Sequence, residues 1–105
     1  MQSRPDSTAS TLCTAIRERR LLSFDYKGLH RIVAPYCYGI TPRDAEVLRA
    51  IQVGGSSSSG GFRFGKLWTV KEMKDVKLTD QTFVPNDPNY NPDDSAMKRI
   101  ICRID

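Results

Sequence analysis

Apolar residues recur along this chain at two different spacings, and the change from one to the other marks its elements. Between residues 8 and 20 the spacing is helical. Ala9, Leu12, Cys13 and Ile16 stand at i, i+3, i+4 and i+7, and Ser7 or Thr8 offers an N-cap. Arg17, Arg19 and Arg20 then fall in the predicted last turn, where positive charge complements the helix dipole. From Leu21 the period becomes two. Leu21 to Lys27 predicts a strand with Leu22, Phe24 and Tyr26 on one face, and Lys27-Gly28 supplies a tight turn.

The next strand runs from His30 to Gly39. Both of its faces are partly apolar (Ile32, Ala34, Tyr36 and Tyr38 against Val33, Pro35 and Cys37), as where a strand bends around a small closed sheet. Pro35 marks an edge or a bulge. Thr41-Pro42-Arg43-Asp44 is turn chemistry, and a third strand follows from Glu46 to Val53. Gly54 to Gly61 is a low-complexity Gly/Ser linker, expected to be a flexible loop. A phosphate-cradling P-loop does not fit there, because Gly65-Lys66 leads into the strand-like Leu67-Trp68-Thr69-Val70 and not into a helix.

Phe62 to Leu78 reads as one long, bent strand. Residues 84–94 contain Pro85, Pro88 and Pro92 and predict an irregular surface loop. Its Asp87-x-Asn89-x-Asn91-x-Asp93 spacing resembles a calcium loop but fails as one, with Pro92 at the glycine position and Lys98 at the glutamate position. The last segment, Met97 to Ile104, fits a helical stripe and a strand equally well.

One residue stands out against this pattern. Alternation puts Arg49 on the face of Val47, Ile51 and Val53, where a permanent charge requires a partner. That partner is a carboxylate of the protein, water at a rim, or an anionic ligand, and alternation does not choose among them.

Length and charge narrow the alternatives. A chain of 105 residues with 39% hydrophobic content supports one core, so residues 8–105 read as a single domain behind a disordered stretch at residues 1–7. The net charge is +4, with seven Lys/Arg against three Asp/Glu in residues 1–43 and nine against nine thereafter. That bias suits an anionic partner without reaching the density of a dedicated nucleic-acid arm. Cys13, Cys37 and Cys102 are widely spaced and lack a C-x-x-C pair, which predicts reduced, mostly buried thiols and neither a disulfide framework nor a zinc site. No apolar run has the length of a membrane span and the start lacks a signal-peptide core, so a cytoplasmic protein is the default expectation, with no membrane partner.

The catalytic inventory is thin. His30 is the sole histidine and sits near no nucleophile motif, so the chain is read as a non-enzyme requiring no cofactor and no metal. The binding inventory is richer. Were the strands one curved sheet, Tyr26, Arg31, Arg49, Arg63 and Lys66 would converge, with forked donors for phosphate and an aromatic face for a base. The bland alternative pairs these cations with Asp25, Glu46 and Glu72.

The order of these features resembles the WYL family. The matching residues are Ala15 to Arg20, Leu22-Ser23-Phe24-Asp25-Tyr26, Arg31-Ile32-Val33-Ala34-Pro35, Val47-Leu48-Arg49-Ala50, and Phe62-Arg63-Phe64 through Leu67 to Met73, within residues 12–83. The resemblance implies a small SH3/Sm-like β-barrel of about five strands with an N-terminal helix, a mainly β (α+β) class, and a strand at Met97 to Ile104. It also implies a ligand-sensing, regulatory module for a negatively charged ligand, a nucleotide or single-stranded nucleic acid, acting in transcription regulation through a regulatory protein partner or a homodimer. Tyr26 and Arg31 carry over by motif; Arg49, Arg63 and Lys66 are added from strand position and charge. The chain departs from the family at Glu46-Val47-Leu48, where the naming tripeptide belongs, and at Glu72, where a basic residue is usual. With about twenty residues ahead of the first strand, no helix-turn-helix domain is expected there. The competing expectation is a protein-interaction adaptor with no small-molecule ligand, anchored by Tyr36, Tyr38, Trp68 and Tyr90.

Overall fold

The computed structural model describes residues 7–55, 66–88 and 90–104. The helical stripe becomes α1 (Ser7–Glu18), which buries Leu12, Ala15 and Ile16 and half-buries Ala9 and Cys13. The helix ends sooner than the arginine cluster suggested. Arg19 turns to a φ of 55°, and Arg20 opens the first strand, paired with Glu18 and Asp80 and donating from Nε to the Thr79 carbonyl. Only Arg17 lies in the last turn.

β1 (Arg20–Tyr26) buries Leu22, Phe24 and Tyr26, as alternation required. Lys27 and Gly28 both take positive φ, 52° and 79°, the conformation that matches a two-residue hairpin to the twist of its strands. β2 (Leu29–Ile40) is long and buried on both faces in its middle. β3 (Glu46–Gly55) runs along one edge of β2, and the other edge is shared by β1 at the start and β6 (Arg99–Arg103) at the end. A register shift between Pro35 and Cys37 makes the predicted bulge. The final segment is thus a strand.

The reading of Phe62 to Leu78 as one strand is corrected. β4 (Leu67–Thr69) pairs β3, a single 3-10 turn occupies Val70–Glu72, and β5 (Met73–Thr82) pairs β1 at the opposite side of the sheet. The backbone has to break because no straight strand can pair both edges. Residues 62–65 of that segment, the Gly/Ser stretch from Ser56 to Gly61 and residues 1–6 lie outside the described residues. The order β4-β3-β2-β1-β5, with β6 on β2, is an antiparallel, six-stranded sheet; among the described residues no ladder joins β4 to β5. The described residues are mainly β with one α-helix. Among the described residues, no helix is long and apolar enough to cross a membrane.

The core lies between α1 and the sheet, where Leu12 and Ile16 meet Leu22, Phe24, Val33, Leu48 and Trp68. Each such side chain contributes about 1.5–3 kcal/mol by burial. A smaller cluster of Cys37, Val47 and Met97 sits on the other face of β2 and β3. The buried face of β3 is therefore Leu48, Ala50 and Gln52, while Arg49 faces the smaller cluster's side with Val47.

The expectation of three reduced thiols is also corrected. Cys13 of α1 and Cys102 of β6 form a disulfide with Cα atoms 5.6 Å apart, 89 residues distant in sequence. Folding brings α1 against β6, and sequence spacing carries no trace of that approach. Cys37 alone is free and buried; burial pushes its thiol up to about 11.

Candidate functional site

The β1–β2 hairpin, β3 and the start of β4 converge on a small group of rings and cations. Trp68 is fully buried, its indole N–H donating to the Ala50 carbonyl at 3.2 Å. Its ring stands edge-on to Phe24 and Tyr26, with centroids 5.3 and 5.0 Å away. The Thr69 N–H donates to Tyr26 Oη at 3.0 Å, which holds that ring in place. Local chain geometry explains the placement, since alternation sends Tyr26 inward and the β3–β4 pairing sets Trp68 opposite Leu48.

Arg31 projects into this group and is 1% exposed. Its Cζ lies 5.8 Å from the Tyr26 centroid and 5.5 Å from that of Trp68. One terminal nitrogen donates to the Tyr26 carbonyl at 3.2 Å and the other to Gln52 Oε1 at 3.3 Å, while the Gln52 amide donates to Gly54 O. Nε has no hydrogen-bond partner among the described residues. Close packing of the strand ends supports the arrangement: Gly55, opposite Arg31, has a φ of 81°, and a Cβ there would stand 2.3 Å from the His30 carbonyl.

Two exposed lysines rim the group. Lys66, tied by its carbonyl to the Ala50 N–H, places Nζ 4.4 Å from the Trp68 centroid, and Lys27 at the hairpin tip places Nζ 5.7 Å from that of Tyr26. Desolvation, followed by the positive charges of Arg31 and Lys27, lowers the pKa of Lys66 below its ordinary value. Among the described residues, none of Lys27, Arg31 and Lys66 is ion-paired to a carboxylate. Of the three carboxylates that could have paired them, Asp25 is engaged with His30 and Glu46 with the Tyr38 hydroxyl at 2.5 Å, while Glu72 is exposed in the turn Val70–Glu72 and, among the described residues, forms no ion pair with them.

Tyr26, Arg31 and Lys66 are thus brought together, and Arg49 is not. Arg49 Nε and a terminal nitrogen donate to the two oxygens of Asp94 at 2.7 and 3.0 Å, so its partner is a carboxylate from the proline-rich loop. Arg63 lies outside the described residues. Lys27, Gln52 and Trp68 join the group without having been singled out as ligand contacts; the lone tryptophan and the cation in the hairpin turn were the available signals. Three proposed adaptor anchors, Tyr36, Tyr38 and Trp68, are core residues, and Tyr90 is half-buried against Tyr36 and donates to the Ile104 carbonyl. Among the described residues no cluster of His, Cys, Asp or Glu could hold a metal ion.

Such a group can attract an anion electrostatically and offer it ammonium donors at the rim. No family model, curated protein or solved structure matches this chain.

Proposed function

We propose that the chain is a WYL-type binding module that recognises a negatively charged ligand, a nucleotide or single-stranded nucleic acid, at the Lys27–Lys66 rim above Arg31. The observation that carries this reading is the buried Arg31 guanidinium, which has no carboxylate partner among the described residues. Burying a charge without a counter-ion costs several kcal/mol, and two ring contacts at about 2 kcal/mol each and hydrogen bonds to the Tyr26 carbonyl and Gln52 offset it without neutralising it. Two further cations nearby add repulsion. A phosphate at the rim converts that repulsion into attraction, and the weakly screened site strengthens it.

The barrel architecture belongs to the same reading. The 3-10 turn leads from β4 at one end of the sheet path to β5 at the other within three residues, which favours a sheet curled until its edges approach. A regulatory role, passed to a protein partner or to a second copy, follows from the family resemblance. A disulfide is rare in a reducing cytoplasm, so the Cys13–Cys102 bond weighs against the cytoplasmic expectation.

Fluorescence anisotropy of labelled single-stranded DNA and RNA, at low and near-physiological salt, tests the reading. Saturable binding that weakens with salt and is lost in Lys66→Ala is the expected result. Absence of binding at low salt removes oligonucleotides as ligands.

A further inference from the structure

A second row of charge crosses the outer face of the hairpin, apart from the Trp68 group. Asp25 of β1 pairs in register with His30 of β2 on one side and Lys74 of β5 on the other. His30 Nδ1 lies 3.1 Å from Asp25 Oδ1. Lys74 joins this row because β5 is bulged: Ser23 opposes Lys77 and Asp25 opposes Lys74, so two steps on β1 match three on β5, with Asp75 at a φ of 53°. In a regular strand, residues three apart point to opposite faces. A non-glycine residue held in the left-handed region to re-aim a neighbour is a feature that recurs beside functional sites.

Asp25, Lys27, Gly28, His30 and Lys74 line a concave patch of about 420 Å³. Gly28 leaves one side of it open, with nothing within 4 Å of where a Cβ would be. Lys27 is common to this patch and to the first group, where its Nζ lies over Tyr26. Two lysines against one carboxylate leave the patch with a net positive charge.

We infer that this patch is a second anion-binding contact, joined to the Lys66–Arg31 group by Lys27, and that the ligand therefore carries at least two phosphate groups. The inference rests on the anion-binding reading of the first group. Lys74 and Lys27 supply ammonium donors to the second phosphate, and the His30 ring, held by Asp25, lies beside them. Those four groups, from β1, the turn, β2 and β5, are the titratable side chains lining the patch among the described residues. Phosphodiesters of an oligonucleotide and the chain of a nucleoside triphosphate share this chemistry.

The test is equilibrium titration of thymidine monophosphate, thymidine triphosphate and a short oligodeoxythymidine, across salt. The two multiply charged probes should bind more tightly than the monophosphate. In Lys74→Ala, and in Lys74→Gln as a second exposed-site variant, the oligonucleotide's salt slope should fall by about 0.7 while monophosphate binding stays as in the wild type. Whichever multiply charged probe responds to these variants identifies the source of the phosphates. Multiply charged probes that bind every variant like the wild type overturn this inference and leave the first site standing; failure of all probes at low salt overturns both.

Discussion

Arg49 and Asp94 meet in a two-point ion pair, at 2.7 and 3.0 Å, that ties β3 to the proline-rich loop 45 residues further on. Their side chains are 16% and 8% exposed, and Asp94 also accepts the Ala96 N–H, so little water replaces either partner if the other is removed. Arg49→Ala should destabilise the fold by about 3 kcal/mol, since it leaves a nearly buried carboxylate unpaired. Urea unfolding measures this, and the variant should still bind whatever the wild type binds. Loss of binding without loss of stability would return Arg49 to the ligand site.

The same pair sets a pH dependence. Hydrogen bonding from Arg49, aided by the Ala96 N–H and opposed by burial, holds the Asp94 carboxyl below its ordinary value. A folded-state pKa below the unfolded one gives stability that is fully present above the unfolded value, about 3.9, and lost as pH falls through the folded one. Asp94→Asn should therefore flatten the acid limb of the stability curve below about pH 5 and leave the slope near neutrality unchanged. An unchanged acid limb would show that the pair contributes no proton linkage.

For Arg31 the informative substitution is methionine. Arg31→Ala would open a cavity among Tyr26, Gln52 and Trp68 and confuse binding with folding. Arg31→Met keeps most of the volume and removes a charge that has no carboxylate partner among the described residues, but it also takes a donor from the Tyr26 carbonyl and from Gln52, so the domain should stay folded with a stability change of no more than about 1–3 kcal/mol. Oligonucleotide binding should drop sharply in the same protein. If Arg31→Met unfolds the domain, Arg31 is a structural residue and the anion reading loses its main support.

Removing the Cys13–Cys102 bond should be costly for a different reason. The bond closes a loop of nearly the whole described chain, and loops of that length are stabilised by about 4 kcal/mol through restriction of the unfolded state. Reductant should lower the urea midpoint of the wild type and have no effect on Cys102→Ser, which starts from the lower value. Cys37, buried and with its thiol pushed up to about 11, should resist alkylation until the domain unfolds. Equal midpoints with and without reductant would mean that the sulfurs are not joined in solution.

Local features were legible before the fold was known, and long-range ones were not. The α1 stripe, the Lys27-Gly28 hairpin and the bulge at Pro35 follow from spacing and turn chemistry that act over a few residues. The break at Val70–Glu72 was masked because apolar residues recur on both sides of it, at Trp68 and Val70 and again at Met73, Val76 and Leu78, although the step from Val70 to Met73 already leaves the strand period. Cys13 with Cys102 and Arg49 with Asp94 are matched only by folding, which periodicity does not encode. At the candidate site, Tyr26, Arg31 and Lys66 were chosen as convergent cations and an aromatic, and they do lie together; Arg49 was chosen on the same grounds and satisfies its charge on the opposite face.

Trp68 provides a probe that needs no label. It is the sole tryptophan, it is fully buried, and the Lys66 ammonium lies 4.4 Å from its ring centroid. Indole emission responds to charge beside the ring, so an anion that draws Lys66 from the ring, or neutralises it there, should change the intensity or the wavelength. Titration with unlabelled oligodeoxythymidine should give a saturable change that high salt reverses, and Lys66→Ala should show a different starting spectrum and no further response. Saturable binding by anisotropy with no change in Trp68 emission would place the ligand elsewhere on the sheet and separate the binding activity from the Lys66–Trp68 rim.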